Sequence, residues 1–396
     1  MSAQSTGSQE STQDLAPPAA LPPPENKLYY PALDGLRALA VSVVFLYHYA
    51  ANRVFWWGWT GVDLFFVLSG FLITGILYDT LGKRNYFKTF YIRRTLRIFP
   101  LYYTVWLIIL VLTPFAHIIW NRWLVVWPLY LGNLMRPWAL MDGQSIFYVN
   151  AYSKGIAQPF LVIGHFWSLC IEEQFYFVWP LVVFLVRDRR KLMSICIAGI
   201  VGSILLRCGL WIVFSPAFRG GGVLYTLPIT RFDTLLAGAW VALWLRDPSV
   251  SIAAARRKFS PVGFGSFVIL IATFAFIIWR LGQEPTFSDD RIQTYGFSVI
   301  AAVAVWILLA CLDPSSLLHR ALLWRPLARI GRVSYGIYVI HLIPSLFFER
   351  LNAMTTSSIL HHLSLPISFA IVYLVAELSF RYLETPFLGL KARWAP

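Results

Sequence analysis

The apolar residues of this chain come in runs of about twenty, parted by short segments that carry most of its charge. That alternation leaves little besides a helical bundle in a bilayer, because a helix needs roughly 20 apolar residues to cross the hydrocarbon core. Such runs lie at about 34–52, 61–81, 97–117, 165–186, 192–214, 229–246, 261–280, 293–312, 332–350 and 361–383. With 58% apolar and only 13% charged residues, and a mean hydropathy of +0.63, the composition excludes an ordinary soluble enzyme. The expected fold is all-α: a polytopic integral membrane protein of about ten transmembrane helices. The segment 123–135 is apolar but short and interrupted by Pro128, and reads as re-entrant or interfacial.

Charge sets the expected orientation. A net charge of +14 in a soluble domain would suggest nucleic acid. Here most of the 33 Lys and Arg residues fall in alternate connections between spans, so the positive-inside rule places both termini in the cytoplasm and implies no nucleic-acid partner. Residues 1–29 are rich in Ser, Gln, Ala and Pro, with no cation before Lys27 and no long apolar run. They read as a disordered cytoplasmic tail rather than a secretory signal. Residues 391–396 read as a short cytoplasmic C-terminal tail. The four cysteines lie in or at apolar spans without CxxC spacing, which implies neither disulfide nor metal.

Several ionisable residues interrupt the apolar spans, where they are costly to hold and read by default as functional. Arg37 and His48 share the first span, eleven residues apart. On a helix they return to within roughly 20° of one face, about 16 Å apart along the axis. In YIRRTLRIFPLYY, Arg93, Arg94 and Arg97 fan over what reads as the start of the third helix. Arginine forks suit phosphate oxygens and a helix N-terminus adds to them, although plain anchoring explains many such runs. In HFWSLCIEEQFYFVWP, Glu172 and Glu173 follow Trp167 into the fourth span, where Arg231, His48 or a hydrated vestibule could partner them. Arg231 and Asp233 open RFDTLLAGAW, either to clamp an acceptor or to pair with those glutamates. In GRVSYGIYVIH, His341 is a second mid-membrane imidazole, about 13 Å past Arg332 if the helix is continuous. No GxSxG, HExxH, P-loop or GxGxxG motif is present.

Seven motifs then recur in order: LDGLRALAVSVVFLYH, GVDLFFVLSGFLIT, RRTLRIFPLYY, FWSLCIEEQFYFVWP, RFDTLLAG, GRVSYGIYVIH and ETPF. From about Tyr30 to Leu390 the chain resembles the membrane-bound acyltransferase 3 family, which makes 30–390 its expected transmembrane domain. It keeps the Arg–X10–His pairing at Arg37 and His48 and an Arg–X–X–Arg pattern at Arg94 and Arg97. The esterase-like domain that some members append is not expected in this sequence.

The resemblance implies transfer of an acyl group, usually acetyl from acetyl-CoA, onto a hydroxyl of an extracytoplasmic glycan. O-antigen, exopolysaccharide and peptidoglycan are the expected acceptors, with a lipid or macrolide-like molecule as the alternative, in a bacterial cytoplasmic membrane. On that reading Arg37, Arg94 and Arg97, with Arg93 beside them, hold the coenzyme A phosphates. His48 is the general base on the acceptor hydroxyl, or acts on the way to a short-lived acyl carrier, and Glu172, with Glu173 as the alternative, orients the imidazole or the sugar. Arg231, Asp233 and Trp167 shape the acceptor site, and His341 stabilises the thioester oxygen. No metal or permanently bound cofactor is expected. A transporter would use the same pore to move an intact substrate, and a scaffold for polysaccharide assembly would need no mid-membrane histidine.

Overall fold

Helix α1 begins at Pro31, whose fixed φ suits a first helical position, carries Asp34 in its first turn, and runs to Tyr49. The computed structural model describes residues 30–50, 54–153, 155–213, 222–354 and 358–394. The expected tail over 1–29, and the end of the one over 391–396, lie outside these. The helices that follow are α2 (Gly61–Asp79), α3 (Tyr86–Ala116), α4 (Gly132–Met141), α5 (Phe166–Val186), α6 (Arg189–Val213), α7 (Phe232–Trp244), α8 (Ile252–Leu281) and α9 (Phe297–Leu312). After them come α10 (Arg325–Arg332), α11 (Ser334–Ile340), α12 (Ser345–Met354) and α13 (Ser358–Ser379). The expected all-α membrane architecture stands, with one addition: a two-stranded antiparallel hairpin, β1 (Tyr148–Ser153) and β2 (Ile156–Val162), between α4 and α5.

Among the described residues, seven helices are long and apolar enough to cross a membrane. They cover Gly58–Asp79, Tyr86–Ala116, Phe166–Val186, Arg189–Val213, Ile252–Leu281, Ile292–Leu312 and Leu363–Trp394. Three of the expected spans differ in kind. The first is a 19-residue helix whose apolar character is diluted by Asp34, Arg37 and His48. The span expected at 229–246 is only the 13-residue α7, about 20 Å long. The span expected at 332–350 is not one helix: α10, α11 and α12 are separate, and the chain turns through His341–Pro344 between the last two.

Helix α3 also starts earlier than the expected 97, at Tyr86. Arg93, Arg94 and Arg97 therefore sit two turns or more inside it. The partial positive charge of a helix N-terminus is confined to the first turn and does not reach them. The segment 123–135, irregular up to the start of α4, is anchored through one residue while Val125 and Leu129 stay exposed: Trp127 is fully buried, its Nε1 donates to Ile146 O at 3.1 Å, and the Tyr102 hydroxyl donates to its carbonyl.

Where lipid surrounds a bundle, helices are drawn together by close backbone packing more than by hydrophobicity, and small residues permit it. A Cβ on Gly70 would lie 1.9 Å from Leu235 O, and one on Gly238 would lie 2.0 Å from Val67 O, so α2 and α7 touch through their backbones. Likewise a Cβ on Gly331 would meet Asp34 O at 1.7 Å, which clamps α10 against α1. Within this bundle α1, α2, α3, α5 and α11 surround one cavity.

Candidate active site

The cavity encloses about 860 Å³ of empty space, part of it open to solvent. Arg37 of α1, Arg94 and Arg97 of α3, and Glu172 and Glu173 of α5 line it, with Ser69 of α2 opposite and Ser334, Tyr335 and Tyr338 from α11. Five residues singled out in the sequence thus meet in one space. Three guanidiniums against two carboxyls give it a cationic character.

Two of the arginines are held in place. Arg37 Nη1 donates to Asp34 Oδ1 at 2.7 Å, one turn earlier on the same helix. The Arg94 guanidinium lies 4.8 Å from the centre of the Tyr176 ring, and the Tyr176 hydroxyl shares a hydrogen bond with Ser69 Oγ. The Tyr335 hydroxyl donates to Ile98 O at 2.7 Å, tying α11 to α3 beside Arg97. Glu173 Oε1 is buried at the cavity wall without a hydrogen-bond partner among the described residues. Arg93 is exposed and does not line the cavity.

His48 does not line this space either. Its ring stands 5.1 Å from that of His341, which in turn stands 4.9 Å from that of His165. Three imidazoles therefore form a contiguous cluster inside the protein. Between cluster and cavity stand Tyr338 and Ser168, which line the cavity and share a hydrogen bond of 2.6 Å. The Tyr338 ring lies 5.4 Å from His341 and 5.7 Å from His165.

The break after α11 fixes how these rings are protonated. The last carbonyls of a helix have no partner within it. Tyr338 O faces His341 Nδ1 at 2.6 Å, and Val339 O faces His165 Nε2 at 3.0 Å. A carbonyl only accepts, so the nitrogen facing it carries the hydrogen. His48 Nδ1 faces Val44 O at 2.9 Å in the same way, which leaves Nε2 as its basic atom. His341 Nε2 and His165 Nδ1 are buried and have no partner among the described residues.

The expected acceptor residues lie elsewhere. Arg231 does not partner Glu172 or Glu173: its Nη2 donates to Asp63 Oδ1, and neither side chain is exposed. Its guanidinium also stacks 4.0 Å from the centre of the Phe297 ring. Asp233 accepts from Arg207 Nη1 at 2.8 Å and from Ser298 Oγ at 2.6 Å, again fully buried. Trp167 is buried against Tyr225, with ring centres 4.4 Å apart. None of the three lines the cavity. Their partners, Asp63 and Arg207, come from other helices, and close charge pairing accounts for residues that in sequence look like a clamp.

Sequence reasoning placed His165 and Ser69 within motifs but gave no role to them, to Tyr176 or to Tyr338. His165 had a legible signal, since it precedes Glu172 by seven residues and so falls on nearly the same helical face. Ser69 and the tyrosines are ordinary in an apolar span and carry no comparable mark.

A family model described as an acyltransferase domain matches residues 30–379. The chain belongs to this acyltransferase family. It is 30% identical to the peptidoglycan O-acetyltransferase OatA of Listeria monocytogenes, over 91% of this chain and 56% of that protein. To the O-acetyltransferase OatA of Staphylococcus aureus it is 31% identical, over 90% of this chain and 57% of the other. To the putative peptidoglycan O-acetyltransferase YrhL of Bacillus subtilis it is 30% identical, over 90% and 55%. The chain thus spans about half the length of the curated relatives it matches. No solved structure matches it. Among the described residues, no group of three or more His, Cys, Asp or Glu is arranged to hold a metal ion.

Proposed function

We propose that this acyltransferase moves an acetyl group from acetyl-CoA, a cytoplasmic donor, onto a hydroxyl of an extracytoplasmic cell-envelope glycan. Peptidoglycan is the acceptor favoured by the names of its relatives. The observation that carries this reading is the cationic cavity of Arg37, Arg94 and Arg97, set one Tyr338–Ser168 layer away from the imidazole cluster. On it the protein sits in a bacterial cytoplasmic membrane with both termini inside.

Coenzyme A is a polyanion, and guanidinium forks match its phosphates bidentately. The three arginines hold that end, while the pantetheine arm carries the thioester toward Tyr338. His48 Nε2 takes the proton of the acceptor hydroxyl as that oxygen bonds to the thioester carbonyl carbon. The carbon–sulfur bond then breaks and the thiolate recovers a proton. Glu172 orients the substrate within the cavity, and Glu173 serves as its secondary partner. Arg231, Asp233 and Trp167 hold the helices that frame the site and take no part in the chemistry.

The test uses the full chain purified in lipid nanodiscs, with acetyl-CoA and de-O-acetylated peptidoglycan. Free thiol should appear with matching ester-linked acetate on the glycan, and both should form about 10² to 10⁴ times more slowly in His48→Ala. Transport of an intact glycan without thiol release would replace the enzyme reading with a transporter.

A further inference from the structure

Two buried imidazole nitrogens have no role in the chemistry above and no partner among the described residues. His165 is 4% exposed and His341 is 1% exposed, yet His165 Nδ1 and His341 Nε2 accept nothing from any described residue. Burying an acceptor without a donor is costly, and an unpaired one in a native protein calls for an explanation. Both lone pairs exist because the α11 carbonyls pin the hydrogens to the opposite nitrogens. The fold uses two main-chain carbonyls to present two bases side by side, with His341 against His48 and His165 behind it.

We propose that His341 and His165 form a proton store for His48, with His165 as a positioning residue that acts through its neighbours. This rests on the acetyl-transfer reading above. The acceptor hydroxyl loses its proton before the sulfur carries enough charge to take one. In that interval an isolated imidazolium in apolar surroundings is expensive. Three neighbouring imidazoles, with His341 5.1 Å from His48 and 4.9 Å from His165 between ring centres, share the proton and lower that cost. When the carbon–sulfur bond breaks, the proton passes back through His48 to the thiolate. One O–H bond and one C–S bond are lost, and one C–O bond and one S–H bond are made.

The surroundings suit a shared cation. The titratable groups facing the cluster are Tyr47 and Tyr49 of α1 and Tyr338 of α11. Across the Tyr338–Ser168 layer lie Glu172 and Glu173 of α5, with Arg37, Arg94 and Arg97 beyond them in the cavity. On α12, Glu349 stands near Tyr49. Among the described residues, the other groups named in contact with the cluster are neutral hydroxyls and rings, and the base against His48 is His341.

The experiment is a pH profile of thiol release by nanodisc-embedded full chain with acetyl-CoA and de-O-acetylated peptidoglycan. His165→Gln retains an amide donor for Val339 O but has no basic nitrogen. Its kcat should fall about tenfold, a part of the roughly 10² to 10⁴ that a placed base contributes, with KM for acetyl-CoA unchanged. The acid limb of its kcat profile should move to lower pH, because the protonated cluster has lost one of its nitrogens. A structural defect would lower the amount of active protein and leave that limb in place. His341→Gln should move the limb the same way, and serves if His165→Gln does not fold. A wild-type profile in either folded variant overturns the store while leaving acetyl transfer intact. Absence of thiol release from the wild type, or full turnover by His48→Ala, overturns the underlying reading instead.

Discussion

Arg207 donates to Asp233 across 2.8 Å with neither side chain reaching solvent, and the pair ties α6 to α7. A second pair, Arg231 with Asp63, joins the same α7 to α2. Four charged groups are thus paired two by two, buried where the first turns of α2 and α7 meet α6. Removing one member of a buried pair strands the other, whereas replacing both removes the problem.

Arg231→Ala should therefore lower stability by about 3–5 kcal/mol, the usual cost of a stranded buried charge. Replacing Asp63 and Arg231 together by Leu and Met should cost much less. Thermal melting in detergent reads both, and equal losses for the single and double changes would mean that the pair is not coupled.

Coenzyme A affinity should depend on the cavity arginines and not on their neighbour. Replacing Arg94 and Arg97 together with Gln should weaken binding at least tenfold and flatten its salt dependence, because two phosphate-facing charges are gone. Arg93→Gln, at an exposed position outside the cavity, should bind like the wild type. Isothermal calorimetry at two ionic strengths decides this.

His48→Ala should reduce turnover by about 10² to 10⁴ while leaving coenzyme A affinity within twofold, since the ring stands outside the cavity. Stopped thiol-release assays beside calorimetry separate these effects. A parallel loss of binding and turnover would show that the ring supports the fold rather than the reaction.

The backbone contact at Gly331 makes a sharp structural test. Any added Cβ meets Asp34 O, so Gly331→Val must push α10 off α1. Asp34 orients Arg37, so the variant should lose coenzyme A binding along with stability. Gly389→Ala, where nothing lies within 4 Å of the new carbon, is the control and should melt normally.

The sequence revealed what periodicity and cost reveal. Arg37 and His48 fall on one helical face by spacing alone, and the expense of Glu172 and Glu173 in an apolar span marks them wherever they pack. What stayed hidden depends on partners distant in the chain. Arg231 looks like a clamp until Asp63, on α2, is found against it. His341 looks like a residue in a continuous helix because Ser345–Met354 resumes the apolar pattern immediately after the turn. His165 looks like an entry residue because its meaning comes from Val339, 174 positions later. Hydrophobic patterning reports which surface is greasy, and it carries no information about which carbonyl a ring nitrogen will find.

The interruption at His341 also sets a limit on engineering. A segment redesigned with stronger helix formers through 341–344 would make a smoother membrane anchor, and the regained main-chain bonds would raise its melting point. It would do so by reclaiming the oxygens that hold two imidazoles in their tautomers, leaving the rings free to turn. The most robust version of this protein would then be a tidier piece of scaffolding with idle chemistry.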